Sequence, residues 1–234
     1  MEKGKALYEG KAKILYETDN PDLFIQYFKD DATAFNAEKK GTIADKGVMN
    51  NKISSKVFQF LEAEGVHTHF VEQLSDREML IKKVEIVQVE VIVRNIAAGS
   101  VCRNFGVKEG IRFDPPVLEF CYKNDEYGDP LMNAAHIMAF GLANREEIEK
   151  IQEMTYKINR LMSAFFEKLK LDLVDFKLEF GRHKGEIILA DEISPDTCRL
   201  WEAGTGRKLD KDRFRHDLGN IEEAYQEVLE RVTK

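Results

Sequence analysis

The chain of 234 residues contains only three cysteines, Cys102, Cys121 and Cys198, and their wide, irregular spacing frames neither a disulfide scaffold nor a tetrahedral metal site. They read as reduced thiols. No window is apolar for long enough to cross a membrane, and residues 1–11, MEKGKALYEGK, lack the apolar core of a secretion signal, so a cytoplasmic location is expected. Positive charge is in deficit: 35 Lys and Arg against 42 Asp and Glu leave a formal net charge of −7. That balance argues against a general nucleic-acid-binding surface, while a small polyanion could still be held by a local Lys/Arg cluster. Internal repeats and low-complexity linkers are missing, and the glycines do not fall at the spacing of a P-loop or a dinucleotide fingerprint. No histidine is placed so as to name it a catalytic base.

What is present is a globular composition, 43% hydrophobic and 33% charged, long enough for one domain or two packed lobes. The pattern is organised around residues 172–196, DLVDFKLEFGRHKGEIILADEISPD, which read as two strands joined by a glycine-bearing turn. Strand alternation puts Asp175, Lys177 and Glu179 on one face and Val174, Phe176, Leu178 and Phe180 on the other. The second strand, 187–190, is apolar and ends in Asp191 and Glu192. Carboxylates at the end of a buried strand beside a polar row suit a hard cation such as Mg²⁺. An edge hairpin with a solvated face accounts for the same residues without chemistry, and both readings stand on the residues alone.

Upstream, residues 3–17 alternate about Gly10, predicting two short strands with Lys11 and Lys13 at the turn. Such a hairpin can lie over phosphates or be a plain surface feature. A strand is expected at 23–28, then a mobile or ligand-facing loop from 31 to 47, a helix over 50–64, and strands at 68–73 and 78–82. Residues 84–94 form the longest predicted strand, with Val87, Val89, Val91 and Val93 on one face and Gln88, Glu90 and Arg94 on the other. Arg94 leads into a glycine and Ser100, which open a short helix; a strand-end arginine beside a helix start can make an anion site. The pair Pro115-Pro116 punctuates the chain before a strand at 117–122 and a loop at 123–131. His136, in a helical stretch at 134–140, carries no assigned chemistry. Asn144 with Glu147 and Asn220 with Glu223 predict capping boxes for two amphipathic helices, the first packed through Ile148, Ile151, Ile158, Leu161, Met162, Phe165 and Leu169. Residues 194–209 read as loop. The order of elements predicts an α+β architecture of two continuous lobes rather than a regular parallel βαβ sheet.

Five segments in order, YEGKAK at 8–13, DATAFN at 31–36, VEVIVRNIAAGS at 89–100, LVDFKLEFG at 173–181 and ADEISPDTCRLW at 190–201, resemble the SAICAR synthetases of purine biosynthesis. The resemblance covers essentially the whole chain. It implies a two-lobed fold related to ATP-grasp enzymes, with a small β-rich lobe at 1–83 covering nucleotide and a larger α+β lobe at 84–234. It further implies a ligase that uses ATP and Mg²⁺ to join L-aspartate to the carboxylate of carboxyaminoimidazole ribonucleotide through an acyl phosphate, and a homodimer. By the same resemblance Gly10, Lys11 and Lys13 cover ATP, and Lys82 is a further nucleotide contact. Glu179 and Asp191 hold Mg²⁺-ATP, and Lys177 stabilises the transferring phosphoryl group. Arg94, Ser100 and Arg199 cradle the 5′-phosphate, and Asp175 contacts ribose hydroxyls. Glu90 helps to organise the pocket, while Asn36, Asp31 and Asp129 are weaker loop candidates. Two other readings remain open on sequence: a phosphotransferase or related amide ligase with another acceptor, separated by its products, and a nucleotide-sensing module that binds without turnover.

Overall fold

A computed structural model describes residues 2–34 and 38–234. The first sheet takes β1 (Lys3–Glu9), β2 (Lys13–Thr18) and β3 (Leu23–Phe28) in turn. A separate hairpin follows, β4 (Asp31–Ala34) and β5 (Lys39–Thr42), and then α1 (Lys46–Ala63). Strands β6 (Phe70–Gln73) and β7 (Glu78–Lys82) return to complete an antiparallel sheet in the order β1-β2-β3-β7-β6.

The second sheet begins with β8 (Glu85–Ile96), followed by α2 (Ser100–Phe105), β9 (Arg112–Tyr122) and the short β10 (Leu131–Met132). After α3 (Ala134–Ala139) and the long α4 (Arg145–Lys168) come β11 (Leu171–His183), β12 (Glu186–Ala190) and β13 (Cys198–Glu202), then α5 (Asp212–Arg215) and α6 (Ile221–Thr233). Its order is β10-β9-β8-β11-β12, with β13 also paired to β11. The chain is therefore α+β, as the order of elements predicts.

Alternation explains the second sheet. Val87, Val89, Val91 and Val93 are all within 1% of complete burial, and Phe176, Leu178 and Phe180 match them on β11, whereas Val174, at the register shift between Leu173 and Asp175, departs from the expected alternation and packs with Ile96, Ala98 and Trp201. Helix α4 covers this face with Ile148, Ile151, Ile158, Met162 and Phe166, each side chain contributing roughly 1.5–3 kcal/mol of burial. The helix starts at the predicted capping box: Asn144 accepts from the Glu147 N–H, and Glu147 accepts from the Asn144 N–H, both at 2.9 Å. One continuous core contains side chains from both sheets and from α1, α4 and α6. The sheets touch where the Leu189 N–H donates to His67 O and the His69 N–H donates to Leu189 O.

Strand β11 is not an edge. It has β8 along one side, while on its other side β13 pairs with its first half and β12 with its second. The row Asp175, Lys177, Glu179 spans the place where that partner changes.

Four further local expectations differ from the structure. The stretch 31–47 is not simply a loop but contains the β4–β5 hairpin and the first residues of α1. Strand β9 runs through Pro115 and Pro116, because its ladder to β8 skips from Val117 to Arg112 and asks no N–H of either proline. Residues 198–202, read as loop, pair with β11 once the chain has turned back beside it. Asn220 adopts a left-handed conformation and makes no side-chain cap, so the second capping box does not form.

Candidate active site

At one end of the polar row, Asp175 faces two arginines. Arg94 Nη1 donates to its Oδ2 at 3.1 Å, and Arg199 Nη1 donates to Oδ1 and Oδ2 at 3.0 and 2.8 Å. The register explains the meeting, since Asp175 lies opposite Arg94 on β8 and opposite Arg199 on β13. Arg94 also donates to Glu119 at 2.7 Å and to Ser100 Oγ at 2.7 Å, and Arg199 donates to Asp212 at 2.8 Å. Gly99 presses its backbone against this cluster: a Cβ there would lie 2.5 Å from Arg199 Nη2. Burial pushes the Asp175 carboxyl upward against the fields of Arg199 and Arg94. With two permanently charged guanidiniums donating to it, Asp175 is the carboxylate at neutral pH. Burial works against the Arg199 charge too, but Asp175 and Asp212 outweigh it. The result is a pair of preorganised forks beside a hydroxyl and the half-buried Gly99–Ser100 turn, suited to a phosphate monoester.

Two residues along, Lys177 donates to Glu90 and Glu179, both at 2.7 Å, and Lys123 donates to Glu179 at 3.0 Å. Burial opposes the Lys177 charge, yet Glu179, Asp191 and Glu90 hold it protonated well beyond neutral pH. Asp191, left-handed at φ 65°, ion-pairs with Lys13, which also reaches Glu192 at 3.4 Å. Burial resists ionisation of Asp191, but Lys13 and then Lys177 hold its pKa below the ordinary range. Lys13 thus crosses from the β1–β2 turn to the end of β12. Glu179 pairs with Ala190, so its carboxylate and that of Asp191 flank one end of the sheet.

No group of three or more His, Cys, Asp or Glu side chains suited to a metal exists among the described residues. Glu179 and Asp191 are instead a pair of hard oxygen donors, each neutralised by lysine. That donor set fits Mg²⁺ carried in with nucleotide phosphates, which needs one or two carboxylates rather than a protein cage.

Gly10 and Lys11 border a cavity of about 730 Å³ between the β1–β2 turn and the β4–β5 hairpin, with Asp31 on its wall. Lys11 reaches across to Asp125 at 2.5 Å. Lys82 lies apart from both clusters: it donates to Thr68 O at 2.9 Å and borders a smaller cavity with Glu62, His67 and His183. Asp129 accepts from the Asn124 N–H at 2.9 Å within a turn, and Asn36 lies outside the described residues. His136 closes the cap of α3 with Asn133.

The structure thus brings together Arg94, Ser100, Asp175 and Arg199 in one cluster and Lys13, Lys177, Glu179, Asp191 and Glu90 in another. Sequence reasoning passed over Glu119, Lys123 and Asp212, which hold these residues in place. Glu119 alternates on a predicted strand and could have been found. Lys123 lies in an irregular stretch, and Asp212 opens α5, whose four residues are too few for a periodic signal.

A family model described as SAICAR synthetase matches residues 6–232. A curated phosphoribosylaminoimidazole-succinocarboxamide synthase from Caldanaerobacter subterraneus subsp. tengcongensis is 60% identical over 232 residues, covering 99% of either chain. Among solved structures, the same enzyme from Ehrlichia chaffeensis superposes with a TM-score of 0.96 at 46% identity over 98% of both chains. A SAICAR synthetase in complex with ADP gives 0.94 at 45% identity, covering 97% of each.

Proposed function

This chain belongs to the SAICAR synthetase family, and from that premise we propose how its two charged clusters divide the work of an ATP-dependent ligase. The enzyme joins L-aspartate to the carboxylate of carboxyaminoimidazole ribonucleotide, with ATP as cosubstrate. The observation that carries the division of labour is the row on β11, where Asp175 belongs to the arginine cluster and Lys177 and Glu179 to the lysine–carboxylate cluster.

Arg94, Arg199 and Ser100 bind the ribonucleotide's 5′-phosphate, and Asp175 accepts from ribose hydroxyls. This anchoring directs the imidazole carboxylate toward Lys177. Gly10, Lys11 and Lys13 cover the nucleotide, with Lys82 as an outer contact. The lobes divide at 83/84, where the chain leaves the first sheet for the second. Glu179 and Asp191 would hold Mg²⁺, which when bound supplies charge neutralisation and alignment to the nucleotide phosphates.

A carboxylate oxygen of the ribonucleotide attacks the γ-phosphorus, ADP leaves, and a mixed acyl phosphate forms. Lys177 remains charged throughout and offsets the negative charge spread over the transferring oxygens. The aspartate amine then attacks the acyl carbon, loses a proton, and expels inorganic phosphate, leaving the amide. One oxygen of the original carboxylate departs with that phosphate. Ribonucleotide labelled with ¹⁸O in its carboxylate therefore yields labelled inorganic phosphate; label retained wholly in the amide and unreacted substrate would refute the acyl phosphate.

No helix among the described residues is long and apolar enough to cross a membrane. A cytoplasmic location and a homodimer are proposed from the family resemblance, and sedimentation equilibrium tests the assembly.

A further inference from the structure

Of the five histidines, only His69 is buried, at 2% exposure. Its backbone stands at the seam of the two sheets: the N–H donates to Leu189 O on β12 at 2.8 Å, and the carbonyl accepts from the Lys82 N–H on β7 at 2.7 Å. Phe58 of α1 packs on the ring at an angle of 69°, with centroids 5.3 Å apart. The ring N–H donates to the backbone carbonyl of Asp191. Since Nε2 is buried without a partner, the donor is Nδ1. Burial lowers the ring's pKa from 6.5 to about 3; Asp191 pulls the other way, and Lys13 and Lys82 add to the fall. The imidazole is therefore neutral, with its single proton on the nitrogen that faces Asp191.

As mere filling, an imidazole suits this place badly. A leucine would occupy much of the same space without leaving a buried acceptor unpaired, which carries a desolvation cost. What the imidazole supplies and a hydrocarbon cannot is the N–H to Asp191. Asp191 has φ 65°, a left-handed conformation that a residue with a Cβ keeps only where its surroundings fix it. Its carboxylate is fixed by Lys13. The chain that follows is tied separately: Thr197 Oγ1 donates to Glu192 O at 3.2 Å, and the Ile193 N–H donates to Ser54 Oγ at 3.1 Å. The Asp191 carbonyl, between these anchors, is the point that His69 holds.

We propose that His69 is a positioning residue, whose N–H on the Asp191 carbonyl holds the left-handed turn at the end of β12 and so aims the Asp191 carboxylate at Mg²⁺-nucleotide. The proposal rests on the ligase reading, with Asp191 as a magnesium ligand, and adds to it a residue outside both charged clusters. His69 precedes β6 of the first sheet, and Asp191 follows β12 of the second. One hydrogen bond therefore ties the carboxylate to the sheet that also carries Lys13, so the two charges that meet the nucleotide keep their relative places.

Isothermal titration with ADP, in the presence and absence of Mg²⁺, tests this on the wild type, His69→Asn, His69→Gln and His69→Leu. An asparagine amide falls near the position of Nδ1 and a glutamine amide nearer that of Nε2, so asparagine restores the donor and glutamine does not. Mg²⁺ is expected to strengthen ADP binding in the wild type and in His69→Asn. In His69→Gln and His69→Leu that gain shrinks about 10-fold, the factor for one lost hydrogen bond, while ADP affinity without Mg²⁺ stays within about twofold. Amide formation follows the same order, with kcat down about 10- to 100-fold in the two donor-less variants and KM for the ribonucleotide unchanged. An equal gain from Mg²⁺ in all four proteins, or an equal loss in all three variants, overturns the assignment. Where His69→Leu does not fold, the asparagine and glutamine variants carry the same comparison by themselves. Wild-type protein that forms no amide, or whose ADP affinity ignores Mg²⁺, overturns the ligase and metal reading and the proposal with it, a failure distinct from any difference between variants.

Discussion

Adding a single methyl group at Gly99 probes the arginine cluster without touching its charges. Gly99 has φ 63° and ψ −125°, a combination that disfavours any residue with a Cβ, at a cost of about 1–3 kcal/mol. In Gly99→Ala the new Cβ would meet Arg199 Nη2 at 2.5 Å and Cζ at 2.8 Å, so the guanidinium must move. Movement weakens the 2.8–3.0 Å bonds from Arg199 to Asp175. Backbone strain and the disturbed ion pair together place the loss of stability at about 2–4 kcal/mol, or roughly 5–15 °C in Tm for a chain of this size. Losing one charge-assisted phosphate contact weakens ribonucleotide binding about 10- to 150-fold. Isothermal titration with the ribonucleotide and, separately, with ADP reads both ends of the site; ADP affinity should hold, because Lys13 and Lys177 are untouched. Gly106→Ala is the control, since its Cβ would meet nothing within 4 Å while its φ is 67°. It carries the backbone cost alone and leaves ribonucleotide binding intact. A Gly99→Ala protein that melts with the wild type and binds the ribonucleotide equally well would refute the reasoning.

At the other end of the row, Asp191→Asn preserves a residue type that tolerates the left-handed backbone but removes the charge facing Lys13. Turnover should fall about 100-fold or more with ribonucleotide affinity unchanged, and equal losses in both would contradict the division of roles. Asp210 supplies a pH test, since burial and then Asp212 push its carboxyl from 3.8 up to about 7. Across that window the folded chain keeps a proton that the unfolded chain releases, so this group's contribution to stability declines as pH rises from about 4 to about 7. Urea titrations of Asp210→Asn and wild type should diverge across the window, and a constant difference between them would count against a neutral buried Asp210.

Much of this architecture was legible because its signals are local and periodic. The valine strand, the Asn144 cap and the alternation of Asp175, Lys177 and Glu179 each follow from the spacing of side chains. What alternation could not show was whether the polar row faced water. The answer depends on β8, which lies far away in sequence, and on β13, which comes back beside β11 only after residues 191–197. Residues 198–202 become a strand only because the chain turns back beside β11. The prolines of β9 are tolerated only because a register shift leaves their positions without ladder bonds. Charge partners were hidden for the same reason: Lys123 lies in an irregular segment and Asp212 in the four-residue α5, and each meets a carboxylate or guanidinium distant in the chain or across a turn. Glycine content did not reveal that Gly99 touches Arg199, since that contact joins α2 to β13.

The most direct test of the central claim is product-resolved turnover of the wild-type protein with Mg²⁺-ATP, carboxyaminoimidazole ribonucleotide and L-aspartate, following ADP and the succinocarboxamide together. The account predicts equal amounts of the two products, with amide formation dependent on aspartate. ADP formed without amide, or neither product from folded protein, would contradict it.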